Sequence, residues 1–494
     1  MGDAIRSIQT PDVCIVGAGP AGLTAAFALG AAGRRVVLLE SGGLRSSSDA
    51  QELNDGDHEG VAYDGLAQTR HRQIGGTVNI WNVPVQDKPG AKYVPLNLKD
   101  MAGWPLSWKE LRPYYVEAQA LCGLGPFEYG AEYWATPARK PFQLDGTGLT
   151  SGVYQFGTAE RFNRVLVNML RNTESITLVP AAAVVGLIVE PHGNRLRGVR
   201  AVDGNGRAFE LMARAVILAC GAVENARLLL LAGFGRKVGA KWLGRGFMEH
   251  ARDFSMLLIP NSPELFEVAS FYDQHHSADG TLIGGRLALT DEALHDLALP
   301  NASMTLFPRA RAGRGALNRV LLAIQRAAGR KRGRYGWSQV RSPANAFDAF
   351  QIVLNLEQRP HPWNRVELGS RSDRFGNALP RLFLEWTEQE QSSLNRLRNL
   401  LGEWFQTAKL GRLLTTESRR PDMNAHHHAG TTRMGVSPED GVVDIEGRVF
   451  GSDNLYLAGA SVFPTAGFAN PTLTIVALAL RLARHVDASL GIRA

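Results

Sequence analysis

The chain has 494 residues, 45% hydrophobic and 20% charged, the balance of a globular protein with a large core. Its three cysteines, Cys14, Cys122 and Cys220, are odd in number and far apart, which excludes a disulfide framework or a zinc knuckle. The net charge of +7 has one source: residues 309–341 hold ten Lys/Arg and no Asp/Glu, so a basic balance says little about the rest of the chain.

The opening residues, MGDAIRSIQTPDV, lack an apolar signal core, and Arg6 stands where a myristoylation motif wants Ser or Thr. No uncharged apolar run reaches the ~18 residues of a membrane span. The cytoplasm is the expected location.

Residues 12–40 read DVCIVGAGPAGLTAAFALGAAGRRVVLLE. Val13 to Val16 is a short apolar run, as a buried parallel strand would be. Gly17, Gly19 and Gly22 then form GxGxxG, with Pro20 and Ala21 opening a helix. The first glycine permits the tight turn, the second lets a pyrophosphate approach the backbone, and the third lets helix pack on strand. The helix closes at Gly33. A second strand ends at Glu40, 18 positions beyond Gly22, where a carboxylate can accept hydrogen bonds from an adenosine ribose. Strand, turn, helix, strand and acid in this order specify a dinucleotide fold, without separating FAD from NAD.

Next comes RQIGGTVNIWN (72–82), with two adjacent glycines. Residues 174–190 and 206–220 alternate and are broken by PHGN and DGNG, which predicts a small meander and then a strand returning to the first sheet. Cys14 and Cys220 lie in apolar runs and read as buried strand thiols. AFQIVLNLE (349–357) alternates, with Phe350, Ile352, Leu354 and Leu356 on one face and Gln351, Val353, Asn355 and Glu357 on the other. In the basic stretch 309–341, Leu317, Val320, Leu321 and Ile324 have helical spacing. A solvated insertion is favoured there. Contact with anionic lipid, an acidic partner or a phosphorylated substrate is the alternative, and nucleic acid is not expected because no binding fold accompanies the charge.

The C-terminal region contains His426, His427 and His428, a short strand NLYLA, and a helix after Asn470-Pro471. Proline at a helix's first turn loses no hydrogen bond, and the open N–H groups near Thr472 can face an anion. No metal site is expected, since rings on adjacent residues point different ways.

HHHAGTTRMG, RVFGSDNLYLAGASVFPT and NPTLTIVALALRLA, together with GAGPAG, ILACGAVENARLLL, LGRGFMEH and GWPLSWKELRPYY, resemble the glucose–methanol–choline (GMC) oxidoreductase family. These are FAD enzymes that oxidise alcohols. PTAGFANPTLT looks most like the pyranose 2-oxidase and C-glycoside oxidase branch, which oxidises sugar hydroxyls. The resemblance implies an α/β protein in which a Rossmann-like FAD-binding domain (1–95, 151–252 and 425–494) is interleaved with a substrate or cap domain (96–150 and 253–424, with the basic insertion 309–341). That second domain is built on a large, mostly antiparallel sheet with helices. It implies His427 as general base, with His428 the alternative, and Asn470 as its partner at the substrate oxygen. It implies cofactor contacts from Gly17, Gly19, Pro20, Ala21, Gly22, Glu40, Gly76, Thr77, Asn79, Asn82, Gly459, Ala460, Pro471 and Thr472, with Val184 near adenine. Some sugar oxidases attach FAD through a histidine four positions after the Gly-Gly pair. Ile80 stands there, and His71 precedes the glycines, so non-covalent FAD is expected.

Gln351 and Asn355 are candidates for sugar hydroxyls, with an ordinary solvent-facing strand side as the equal alternative. The expected reaction is oxidation of a hydroxyl, on a sugar or glycoside and at a secondary position, by hydride transfer to flavin N5. The electron acceptor is oxygen or another carrier. A non-sugar alcohol (sterol, terpenoid or choline-like) is the second substrate class. A redox-silent FAD scaffold is the non-enzyme alternative, against which His427 and Asn470 speak.

Overall fold

The computed structural model describes residues 10–491 except 86, 98–99, 102, 191–193, 235–240, 312–319, 321–322, 325–335, 341 and 416–419. Most of the basic segment, with the helix expected through Leu317 and Leu321, lies outside the described residues.

The first apolar runs form a five-stranded parallel sheet in the order Leu455–Leu457, Ala215–Leu218, Val13–Val16, Val36–Leu39, Ile176–Val179. VCIV, VVLL and AVIL are buried at every position, as strands covered on both faces must be. The helix Pro20–Ala31 follows the first strand. It packs against the C-terminal helix Thr472–Ser489, so the two ends of the chain share one core. The expected meander is present. Ala182–Val189, Leu196–Asp203 and Ala208–Met212 form an antiparallel sheet, and the chain then re-enters the parallel sheet at Ala215.

The second core surrounds a nine-stranded, antiparallel-paired sheet. Its main path runs Gly411–Thr415, Ala251–Pro260, Phe347–Leu356, Ala302–Ala310, Leu282–Leu289, Leu149–Thr158, Lys88–Tyr93, Val83–Val85, with Gln274–His276 pairing onto Leu282–Leu289. Stretches 83–93 and 149–158, grouped by sequence largely with the nucleotide-binding unit, thus run in this sheet. The alternation of 349–357 holds on its apolar side: Phe350, Ile352, Leu354 and Leu356 are fully buried. On that core lies the helix Glu388–Thr407, which buries Leu394, Leu397, Leu401 and Phe405 and starts with a Thr387/Glu390 capping box. Arg398 on this helix donates two hydrogen bonds to the buried carboxylate of Asp253, at 2.9 and 3.0 Å, pinning helix to strand.

Cys14 is a buried strand thiol, pushed up to about 12 by burial. Cys220 is not in a strand: it caps the helix Gly221–Leu231, because Gly221 turns the chain with φ 81°. No helix of the described residues is long and apolar enough to cross a membrane.

Candidate active site

A cavity of about 600 Å³ opens at the carboxyl ends of the parallel strands, where Val16, Leu39, Ala219 and Gly459 line it. Gly17 has φ 100°, and a Cβ there would fall 2.6 Å from Ala219 O. A Cβ on Gly22 would fall 1.9 Å from Gly17 O, so Gly22 serves helix–strand packing and does not line the cavity. Gly19 differs. It caps the helix with no side-chain hydrogen bond, lines the cavity, and a Cβ on it would meet no protein atom within 4 Å. The free N–H groups of Pro20–Ala31 therefore open onto space a phosphate can fill.

Pro20, Ala21, Glu40, Gly76, Thr77, Asn82, Val184, Gly459, Ala460, Pro471 and Thr472 line the same cavity. Gly76 has φ 62°, and its Cβ would lie 3.1 Å from Gly19 Cα, so the two glycine loops touch. Glu40 holds the first loop from below, accepting the N–H of Ala18 at 2.8 Å and of Gly42 at 2.7 Å. Burial raises its carboxyl above the ordinary range.

Three more of the expected contact residues do not line the cavity. The Asn79 amide turns inward and donates to Ile74 O (3.1 Å) and Gly76 O (2.9 Å), because the single-turn helix Gly76–Ile80 leaves those carbonyls open. It shapes the loop and does not line the cavity. The Gln351 amide donates to Phe254 O (2.8 Å) and Met256 O (2.7 Å), where a register shift between Asp253 and Met256 turns strand carbonyls toward it. Its amide N–H groups are thereby committed to strand carbonyls. Asn355 is buried on the polar face of the sheet and does not line the cavity.

His427 and Asn470 meet at the cavity, Asn470 Nδ2 lying 3.4 Å from His427 Nε2. The amide donates, so the imidazole proton sits on Nδ1 and points at His250 Nδ1, 2.9 Å away. Burial, and then the neighbouring His250, push His427 well below the ordinary histidine range, which keeps it neutral. The adjacent histidines go elsewhere. His428 bonds Tyr63 Oη at 2.5 Å and is lowered to about 3 by burial, while His426 faces Asp64 at 3.2 Å. Among the described residues no group of three His, Cys, Asp or Glu is arranged to hold a metal ion.

The GMC oxidoreductase model matches in two parts, residues 154–252 and 360–479, and an NAD(P)-binding Rossmann-like model matches residues 15–73. The chain belongs to the GMC oxidoreductases. Such enzymes act on CH–OH groups with FAD, and the glycine loops and uncapped helix starts fit that cofactor. The 6'''-hydroxyparomomycin C oxidase of Streptomyces lividus is 25% identical over 97% of this chain and 92% of its own length. The C-glycoside 3-oxidase of Microbacterium trichothecenolyticum is 34% identical, but over only 24% of this chain and 23% of its own. The branch resemblance of the C-terminal motif is thus partial. In fold, the crystal structure of pyridoxine 4-oxidase from "Mesorbium loti" superposes with a TM-score of 0.57 over 96% of this chain and 98% of that one, at 18% identity.

Sequence reasoning passed over two residues of this GMC site, His250 and Glu249. Glu249 is fully buried. Its Oε1 accepts the backbone N–H of both His427 (2.6 Å) and His250 (2.9 Å), and its Oε2 accepts Tyr63 Oη–H at 3.0 Å. One carboxyl thus fixes both backbones that carry the imidazole pair. The signal was the Glu-His pair closing LGRGFMEH, an acid and an imidazole directly after the apolar Phe247-Met248.

Proposed function

We propose that this GMC oxidoreductase oxidises a secondary hydroxyl of a sugar or glycoside to a carbonyl, with His427 as general base and Asn470 as the group that orients the substrate oxygen. The observation that carries the reading is the approach of His427 Nε2 and Asn470 Nδ2 to 3.4 Å at the cavity. FAD, when bound, supplies the hydride acceptor, N5. The chain's residues handle the proton and the orientation. The neutral His427 offers its Nε2 lone pair to the alcohol proton, and such bases typically contribute about 10²- to 10⁴-fold. Asn470 turns an N–H toward the same point, so one oxygen can touch both groups.

The sugar reading is supported by the name of the full-length relative above and by the partial likeness to a C-glycoside 3-oxidase. A non-sugar alcohol is the second substrate class. FAD is held without a covalent bond: Ile80 offers no nucleophile, and His71, which also lines the cavity, is engaged by Gln73 at 2.9 Å. The acceptor is oxygen or another carrier, the proposed location is the cytoplasm, and the chain divides into a discontinuous FAD-binding unit and a substrate-binding unit. The test is anaerobic mixing of holoenzyme with monosaccharides, glycosides and non-sugar alcohols. Bleaching of the flavin by sugars, with a keto-sugar as product, is expected. Bleaching by non-sugar alcohols alone contradicts the sugar assignment.

A further inference from the structure

The antiparallel sheet has one apolar face, which is the second core, and one polar face. Strand register defines the polar one. Lys92 pairs with Phe156, Arg286 with Gly152, Ser303 with both Ala288 and Asn355, and Arg252 with Asn355. Residues directly opposite, or two apart on one strand, share a face. Lys92, Tyr154, Arg286, Ser303, Asn355 and Arg252 therefore stand on the same side. That side turns to the reaction site, since Arg252 lines the cavity and so does Gly90, two residues before Lys92 and on the same face of its strand.

The chemistry on this face is unusual for a sheet interior. The Lys92 ammonium lies 4.5 Å from the Tyr154 ring centre and the Arg286 guanidinium 5.5 Å from it. Arg286 also covers the Phe468 ring at 4.9 Å, two residues before Asn470. Tyr154 Oη bonds Ser303 Oγ at 2.7 Å, and the Asn355 amide lies beside that phenol without closing a hydrogen bond. Arg286 Nη1 and Asn355 Nδ2 are buried donors with no partner. Arg252 is paired with Asp422, but among the described residues neither Lys92 nor Arg286 forms an ion pair.

Two carboxyls close to this face, Asp100 and Glu357, are hydrogen-bonded elsewhere. Asp100 accepts from Asn97 N at 3.0 Å and from the Asn301 amide, and Glu357 accepts from Asn301 N at 3.2 Å. Burial raises Asp100 to about 7, which weakens it as a counter-charge, while against burial Lys92 and Arg286, with the neighbouring Ser303 and Asn355 side chains, lower the Tyr154 phenol. The positive field of Lys92 also reaches His427 and His250. Lys92 and Arg286 are half-buried, but the donors Arg286 Nη1 and Asn355 Nδ2 are buried without a partner, which is costly unless something fills them.

We propose that this face is an anion subsite: it takes the oxyanion of an acidic sugar, a carboxylate or phosphate held by Lys92 and Arg286, while the hydroxyl to be oxidised lies at His427 and Asn470. This rests on the reading of the cavity as the reaction site. An amino sugar, cationic at neutral pH, meets like charge here, so only the sugar class, and not the amino-sugar character of the full-length relative's substrate, carries over to this chain.

Binding is measured on FAD-loaded enzyme reduced with dithionite, which cannot oxidise the sugar, by calorimetric titration with methyl glucoside, methyl glucuronide, glucose 6-phosphate and glucosamine. The uronide or the phosphate should bind at least about tenfold tighter than the neutral glycoside, as one charge-assisted hydrogen bond warrants. The stronger of the two identifies the oxyanion. Arg286→Met and Lys92→Met should each remove that advantage while leaving neutral-sugar affinity and FAD content unchanged. Equal binding of all four sugars, an advantage that survives both substitutions, no binding at all, or loss of FAD from the variants would overturn the subsite. Flavin bleaching by neutral sugars in the oxidised enzyme would still stand on its own, so the two readings fail separately.

Discussion

A single buried carboxyl, Glu249, sits beneath the imidazole pair. It is fully buried, and desolvation raises it from 4.5 to about 8 despite the two backbone N–H groups and the Tyr63 hydroxyl that bond it. The folded form therefore keeps a proton where the unfolded form has lost it. Its stabilising contribution is complete below about pH 4.5 and is lost as pH rises through about 8. Glu249→Gln keeps an acceptor for the backbone N–H groups and removes the titration. The melting temperature of the variant minus that of the wild type should therefore grow between pH 5 and pH 8. A difference independent of pH contradicts this. That His427 and Asn470 belong near one another was legible in the sequence, because His427 sits in a local motif and Asn470 precedes a proline that starts a helix, and the two meet at the cavity. His250 and Glu249 were not, since their contacts with His427 span 177 and 178 positions. Gln351 was misread for a related reason: alternation assigns a face but carries no sign of the register shift that turns two carbonyls onto its amide.

At the scale of elements, the structure rests on two glycine loops meeting over the start of a helix. Gly19 has φ −80°, which any residue adopts, and no protein atom near its Cβ position. Threonine is about as good a helix cap as glycine, so Gly19→Thr should change the stability of the FAD-free protein by less than about 0.5 kcal/mol. Its side chain would fill the phosphate space and take up a free N–H. The flavin content of the purified variant should fall at least tenfold, and full loading would mean that the phosphates lie elsewhere. The Rossmann unit was readable because strand, turn, helix and strand are contiguous in 12–40. The nine-stranded sheet was readable only as a class. Its strands are drawn from 83–93, 149–158 and 251–415, and pairings between such distant segments leave no periodic trace. The boundary residues of that sheet followed from the fold and not from composition.

At the scale of the whole molecule, the cavity draws on the parallel sheet, on Gly90 and Ala91 and Arg252 of the antiparallel sheet, and on the 422–428 stretch. A cofactor that fills it binds the folded state alone. At a free concentration of 100 times its Kd it adds about 2.7 kcal/mol to stability. Removal of FAD should lower the melting temperature, and re-addition should restore it. Acid precipitation should leave the yellow colour in the supernatant, and colour retained in the pellet would contradict non-covalent binding.

The central claim, that His427 takes the alcohol proton beside Asn470, is tested most directly by stopped-flow reduction of the His427→Ala holoenzyme. The account predicts full FAD loading and flavin reduction slower by at least about 10²-fold. Reduction at the wild-type rate would contradict it.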